Sequence, residues 1–317
     1  MLTIDRNFGI EIELKGISME TGLRALLDSG LSAAMEGYNH ETRGHWKLVT
    51  DASVHGGFEV VSPILHGEEG LADAIKAATA LENAGGRVDR SCGLHAHFDA
   101  NDLSVNEIRT IARRYAAFEN RIDSFMPKSR RGDANTYCKS TIEIFLHNRR
   151  FNEGGTNADM MAAQGGRYFK LNLQSLIRHH TIEFRQHSGT VEARKIENWV
   201  RFLNAFINQS LRIANGTPQA SAQPLHLQPM QSRLTQLLQS ENGIAANELQ
   251  NQLNLLPHSL RASISYLRKA GVSVETHRHD GQTFYRIERN AAADDLFSGI
   301  APEQRAFYSR RATALAA

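Results

Sequence analysis

Phe8-Gly9-Ile10-Glu11-Ile12-Glu13-Leu14 alternates apolar and acidic residues. Successive side chains of a strand point to opposite faces, so this segment sets Ile10, Ile12 and Leu14 on one side of a sheet and both carboxylates on the other. The two acids stand about 7 Å apart along such a strand. One site with two divalent cations spans that distance, and hard carboxylate oxygens suit Mg²⁺. A half-exposed strand with a solvated acidic face satisfies the same pattern, so neighbouring segments have to decide between the two.

Working outward, Gly57-Phe58-Glu59-Val60-Val61-Ser62-Pro63 places one acid inside an apolar run, where it needs a metal or an arginine partner. Upstream, Trp46-Lys47-Leu48-Val49-Thr50-Asp51-Ala52-Ser53 reads as its hairpin partner, with Asp51 and Ser53 as turn residues or substrate contacts. In Ser91-Cys92-Gly93-Leu94-His95-Ala96-His97-Phe98 the two imidazoles share one face, as a ligand pair or as two satisfied structural histidines. Cys92 has no base beside it in sequence and reads as a buried structural thiol. Arg167-Tyr168-Phe169-Lys170-Leu171-Asn172-Leu173 precedes Ile182-Glu183-Phe184-Arg185-Gln186-His187-Ser188-Gly189-Thr190, in which Glu183 and Arg185 share a face and Ile182 and Phe184 point to the core. Glu183 and Arg185 could simply neutralise each other. Taken together, a face carrying Glu11, Glu13, Glu59, His95, His97, Glu183 and Arg185 is electrostatically untenable when dry and without a ligand. Divalent cations bound to a polyphosphate resolve the conflict. No GxxxxGK loop is present, so metals and side chains would hold the nucleotide.

Helical periodicity covers 71–84, 105–125 and 192–214, and Ser104 followed by Glu107 predicts a capping box at the start of the second. The stretch 127–166 is rich in Arg, Asn, Gly and Asp around Thr141-Ile142-Glu143-Ile144-Phe145-Leu146, which predicts a long insertion serving as a lid over the sheet. Pro, Gly, Ser and Gln fill the segment after Asn215, a linker. Three short helical patterns within 230–269, then strand-like runs around Asp280-Gly281, resemble a winged helix-turn-helix. The expected organisation is a catalytic domain at 1–215, a linker at 216–229, a winged-helix module at 230–290 and a helical or frayed extension at 291–317.

FGIEIEL, GFEVVSP, SCGLHAHFD and TIEFRQHSGT, in this order and with a helix after the third, resemble the motif set of the amidoligase family, relatives of glutamine synthetase and the glutamate–cysteine ligases. The resemblance spans about residues 5 to 212. It implies an α+β fold with a mostly antiparallel, curved, glutamine synthetase-like sheet and helices on one face. It also implies an ATP-dependent ligase that joins a carboxylate and an amine through an acyl phosphate. In that scheme Glu11 and Glu13 each bind one Mg²⁺ or Mn²⁺, Glu59 joins Glu13, and His95 and Glu183 join Glu11. His97 stands near the ATP phosphates and Arg185 on the transferred phosphoryl group, so Glu13, Glu59 and Arg185 serve catalysis. Thr181 occupies a position where glutamine synthetase has an arginine, and Arg130, Arg131, Arg167 or Lys170 would supply the contact.

Two other enzymatic readings use comparable motifs: a phosphotransferase on the same scaffold, and a metallohydrolase, against which the distributed ExE and IEFR strands argue. A nucleotide-sensing DNA-binding regulator is a third. The expected substrates are an amino acid, peptide or protein carrying the carboxylate and an amine. The C-terminal module would meet DNA or protein through Arg261, Arg268 and Lys269 with Arg278 and His279 at the wing, and the chain would form a homo-oligomer if a neighbour completes the site. Composition bounds these expectations. The 317 residues are 41 % hydrophobic and 22 % charged, enough for one large domain and one small. The formal charge of +2 does not require nucleic acid or an anionic membrane. Cys92 and Cys138 have no paired spacing and read as reduced thiols. With neither a signal sequence nor a long apolar run, the expected location is cytoplasmic.

Overall fold

The computed structural model describes residues 3–216, apart from 40, 52, 53 and 55, and residues 233–316, apart from 235, 236, 239–242, 270–273, 280, 281, 288–295, 298 and 299. The chain forms two compact units, Met1–Thr217 with Leu296–Ala317, and Pro218–Asp295.

In chain order the first unit contains β1 (Phe8–Lys15), α1 (Met19–Asp28), β2 (Ala33–Met35), β3 (Trp46–Val49), β4 (Gly57–Val61), α2 (Gly67–Asn83), β5 (Gly93–Asp99), α3 (Val105–Ser124), α4 (Arg149–Glu153), α5 (Asn157–Gln164), β6 (Leu171–Asn172), α6 (Ser175–Arg178), β7 (Thr181–Ser188) and α7 (Ala193–Ala214). The strands form one sheet ordered β2-β3-β4-β1-β5-β7-β6. All its neighbours are antiparallel except β2 and β3, which makes this an α+β fold on a mixed sheet.

Alternation along β1 does what period two requires. Ile10, Ile12 and Leu14 are buried in one core with Phe58, Val60, Leu94, Phe98, Ile182 and Phe184 and with apolar residues of α2, α3 and α7. Helix α7 lies against both α2 and α3. Its Trp199, Phe202 and Phe206 are almost fully enclosed, and truncating one such aromatic to alanine costs about 3–5 kcal/mol. Helix α3 starts where its sequence says it should: the Ser104 hydroxyl accepts from Glu107 N, and the Glu107 carboxylate accepts from Ser104 N at 2.8 Å.

Between β5 and β7 the pairing slips. Leu94 faces His187 and Ala96 faces Phe184, so Arg185 and Gln186 together oppose His95. This bulge breaks the alternation of β7. Arg185 ion-pairs with Glu183, whereas both Gln186 and His187 reach helices: Gln186 bonds Asp123 and Tyr115 of α3, and His187 packs 5.2 Å from Trp199 of α7.

The insertion does not act as the expected lid. Its π-helical turn Glu143–His147, with α4 and α5, buries Phe145, Phe151 and Met160 in the main core. Arg109 of α3 donates to the carbonyls of Phe151 and Gly154. Apolar side chains without a β-period were free to join the helix layer, and of residues 127–166 only Tyr137 lines the cavity described below. Helix Pro302–Ala316 completes this unit, with Tyr308 against Phe125 and Phe202 at ring separations of 4.6 and 5.5 Å.

The second unit has its own core, including Leu249, Leu260, Ile264, Leu267 and Tyr285. It contains helices Ala246–Leu253 and Pro257–Lys269 and strands β8 (Ile244–Ala245), β9 (Val274–His279) and β10 (Gln282–Ile287), ordered β8-β10-β9. The expected Asp280-Gly281 turn, most of the expected first helix and the linker fall outside the described residues. Arg268 is exposed and donates to Val274 O and the Thr276 hydroxyl, which ties its helix to β9. Among the described residues no helix is long and apolar enough to cross a membrane.

Candidate metal and oxyanion site

Strand register, more than any single motif, builds the site. Glu13 of β1 pairs with Glu59 of β4, Glu11 with His95 of β5, His97 with Glu183 of β7, and Glu183 with Asn172 of β6. Five adjacent strands thereby contribute to one polar band on the face opposite the core.

Side-chain contacts knit the band together. His95 Nδ1 donates to Glu11 Oε2 at 2.9 Å, and its Nε2 lies 3.6 Å from Glu13 Oε1. The Gly93 amide donates to Glu13 Oε2 at 2.6 Å. Arg185 Nη1 meets Glu183 Oε1, and Asn172 donates to Glu183 Oε2, each at 2.5 Å. A Cβ on Gly93 would stand 2.9 Å from His95 Nε2 and 3.2 Å from Arg130 Nη2, so the smallest residue is required beside the imidazole.

Proton affinities separate along the band. Burial opposes ionisation of Glu11, but His97 and His95 outweigh it and hold the carboxyl well below its ordinary value. Glu183 is likewise buried yet lowered, by Arg185 and the two histidines. Burial would lower His97, but Glu11 and Glu183 raise it. Glu59 is the exception: burial, then Glu11, Glu13 and Asp51, push its carboxyl well above the ordinary range. Without a cation, the β1–β4 end carries more negative charge than its surroundings neutralise.

Donor atoms fit cations in three overlapping sets, each within 4.8 Å: Glu11, His97 and Glu183; Glu13, Asp51 and Glu59; and Glu11, Glu59 and His95. His97 shares a 2.9 Å hydrogen bond between Nδ1 and the Thr181 hydroxyl, while buried Nε2 has no hydrogen-bond partner and lies 3.4 Å from Glu11 Oε1. An imidazole anchored at one nitrogen with the other turned toward carboxylates has the orientation of a metal ligand. The grouping differs from the sequence expectation in two places. His97, directly opposite Glu183, joins Glu11 and Glu183, and the expected His95 also lies near both, with Nδ1 2.9 Å from Glu11 Oε2 and 3.7 Å from Glu183 Oε1. Asp51 joins Glu13 and Glu59, which the sequence left as a turn residue or substrate contact.

A cavity of about 1010 Å³ covers the band and is lined by Glu11, Glu13, Glu59, His95, His97, Glu183, Arg185 and Arg167, but not by Lys170. Lys170 lies fully buried against α3, with Nζ 2.9 Å from Glu119 and 2.8 Å from Asp123. It therefore does not serve a cofactor from this position. Strand β6 is only Leu171–Asn172 and the chain before it is irregular, so no strand period sets the direction of Lys170. Arg130 is buried beneath Gly93, donating to Cys92 O, and Arg131 donates to Met126 O. Of the four cations offered in place of Thr181, Arg167 alone reaches the cavity, with its guanidinium 5.2 Å from the Tyr168 ring centre.

The sequence reading missed two cations on the wall. Lys47 is buried, and its ammonium donates to Asn39 O, Asn39 Oδ1 and Glu41 O. A charged residue inside an apolar strand was the signal used for Glu59, and it applied equally to Lys47. Arg178, at the end of α6, also lines the cavity, but nothing in its sequence surroundings distinguishes it. Comparison with known proteins adds one finding: the family model described as "Putative amidoligase enzyme" matches residues 5–207. No curated protein matches the chain. The matched region contains all five contributing strands, and the chain belongs to this amidoligase family.

Proposed function

We propose that the first unit is an ATP-dependent carboxylate–amine ligase that works through an acyl phosphate with two Mg²⁺ or Mn²⁺ ions. The observation that carries this reading is the pair of separate oxygen-rich donor sets, Glu11–His97–Glu183 and Glu13–Asp51–Glu59, on the floor of one cavity. Single-ligand pockets occupy about 300–1,000 Å³, so a volume at the top of that range suits a nucleotide together with a second substrate.

A carboxylate oxygen attacks the γ-phosphorus of ATP, and the bond to the β–γ bridging oxygen breaks to release ADP. An amine nitrogen then attacks the acyl carbon, expels inorganic phosphate and loses a proton to give the amide. The bound cations would neutralise phosphate charge during transfer. Glu13, Asp51 and Glu59 would hold one ion and Glu11, His97 and Glu183 the other, while Thr181 fixes the ring of His97. Arg185 keeps its place through Glu183 and Tyr137 O, leaving Nη2 for a phosphoryl oxygen.

Hydroxylamine can replace the amine and trap an acyl phosphate as a hydroxamate. Expected results are Mg²⁺-dependent ADP release accompanied by hydroxamate for one carboxylate of a panel, and loss of both in Glu13→Ala. Undiminished ADP release by that variant would defeat the site assignment. ADP formed with a phosphorylated product and no hydroxamate would replace the ligase with a phosphotransferase.

A further inference from the structure

We propose that Arg178 binds an oxyanion above the Glu11–His97–Glu183 end of the cavity, either a phosphate of the nucleotide or a carboxylate of the acid substrate. The inference rests on the ligase reading for the identity of the ligand, but not for the presence of the site.

The basic groups of the cavity differ in what occupies them. Arg185 is ion-paired with Glu183. Lys47 donates to three oxygens of the 39–41 segment. Arg167 lies over Tyr168 and donates to its hydroxyl. Arg178 lines the same cavity and makes no hydrogen bond or ion pair among the described residues. A guanidinium presents five donors in a planar fork that matches carboxylate and phosphate oxygens.

Arg178 is exposed on the cavity wall, and backbone geometry fixes the turn that follows it. His180, between α6 and β7, has φ 53, a left-handed conformation that costs a non-glycine residue energy. Its carbonyl accepts from Ala100 N at 2.8 Å, and Ser175 Oγ donates to Thr181 O at 2.6 Å. The turn is therefore fixed at both sides. It sets the His179 ring edge-on to His97 at 6.0 Å, which brings the end of α6 beside a candidate metal ligand. Thr181 carries no charge to offer an oxyanion, and its hydroxyl already pairs with His97 Nδ1.

The test is calorimetric titration of the full chain and of Arg178→Gln and Arg178→Lys with three probes: Mg²⁺ with the β,γ-imido analogue of ATP, inorganic pyrophosphate, and glutarate. The Gln variant should keep the wild-type melting temperature and lose roughly ten- to a hundredfold in affinity for at least one probe, the range of one charged hydrogen bond. Lys should recover part of the loss. Weakening confined to the imido nucleotide and pyrophosphate identifies a phosphate ligand; weakening confined to glutarate identifies a carboxylate. If wild type binds pyrophosphate through Arg178 but no nucleotide, the oxyanion site stands and the ligase reading fails. Affinities within twofold for every probe, or no probe binding to wild type, would overturn the proposal.

Discussion

Replacing Glu59 with glutamine should stabilise the metal-free protein while removing much of its response to metal. Donor atoms of Glu13, Asp51 and Glu59 lie within 4.8 Å of one another. At that separation and an effective dielectric of about 20, each ionised pair repels by about 3.5 kcal/mol. Proton uptake at Glu59 relieves most of this, so the neutral isostere should gain about 1–2 kcal/mol, or about 2–8 °C in melting temperature for a unit of this size. The sign with pH follows from the raised carboxyl of Glu59. Its folded state binds a proton more tightly than its unfolded state, so wild-type stability falls as pH rises from the ordinary carboxyl value of 4.5 through the folded value. The gap between Glu59→Gln and wild type should therefore widen from pH 5 to pH 8. With Mn²⁺ at a hundred times its dissociation constant, wild type should gain about 2.7 kcal/mol, and the variant far less. The assay is a thermal-melting series over pH with and without Mn²⁺. A variant that melts lower without metal and shifts as far as wild type with it would refute the electrostatic account.

Three further outcomes are expected. Lys170→Met should lower stability by about 3–5 kcal/mol in urea denaturation, because Glu119 and Asp123 then share a buried pocket without their cation. Burial, reinforced by Arg311, holds His187 well below the ordinary imidazole value of 6.5, so wild-type stability should be lost as pH falls below about that value; the melting profile of His187→Gln should be flatter between pH 7 and pH 5. Thr181→Val should weaken Mn²⁺ binding by about ten- to a hundredfold through loss of the His97 Nδ1 partner, and Thr181→Ser should retain it in the same titration.

The sheet was legible because its strands repeat one signal. In β1, β5 and the first half of β7, apolar and polar residues alternate against a single core, and a one-residue slip would expose every apolar group. Two parts of the site escaped that logic. The bulge at Arg185 and Gln186 alters which histidine faces Glu183, and no periodicity reveals an extra residue in one strand. Lys170 follows a short irregular segment in which parity has no meaning. Arg178 was invisible for a different reason, since its placement depends on the left-handed turn at His180 and not on residue pattern. The insertion misled because its polar composition conceals three aromatic or methionine anchors that belong to the core.

The helix at residues 302–316 has a consequence for biosynthesis. It supplies Tyr308 to the aromatic cluster of Phe125 and Phe202, yet it leaves the ribosome only after all of residues 218–295 have been made. A nascent chain at residue 217 has every strand of the large sheet but an uncovered aromatic patch on its helix layer. Completion of that layer must wait for the second unit to be synthesised, and a gene shortened at the apparent domain boundary would yield a chain prone to self-association.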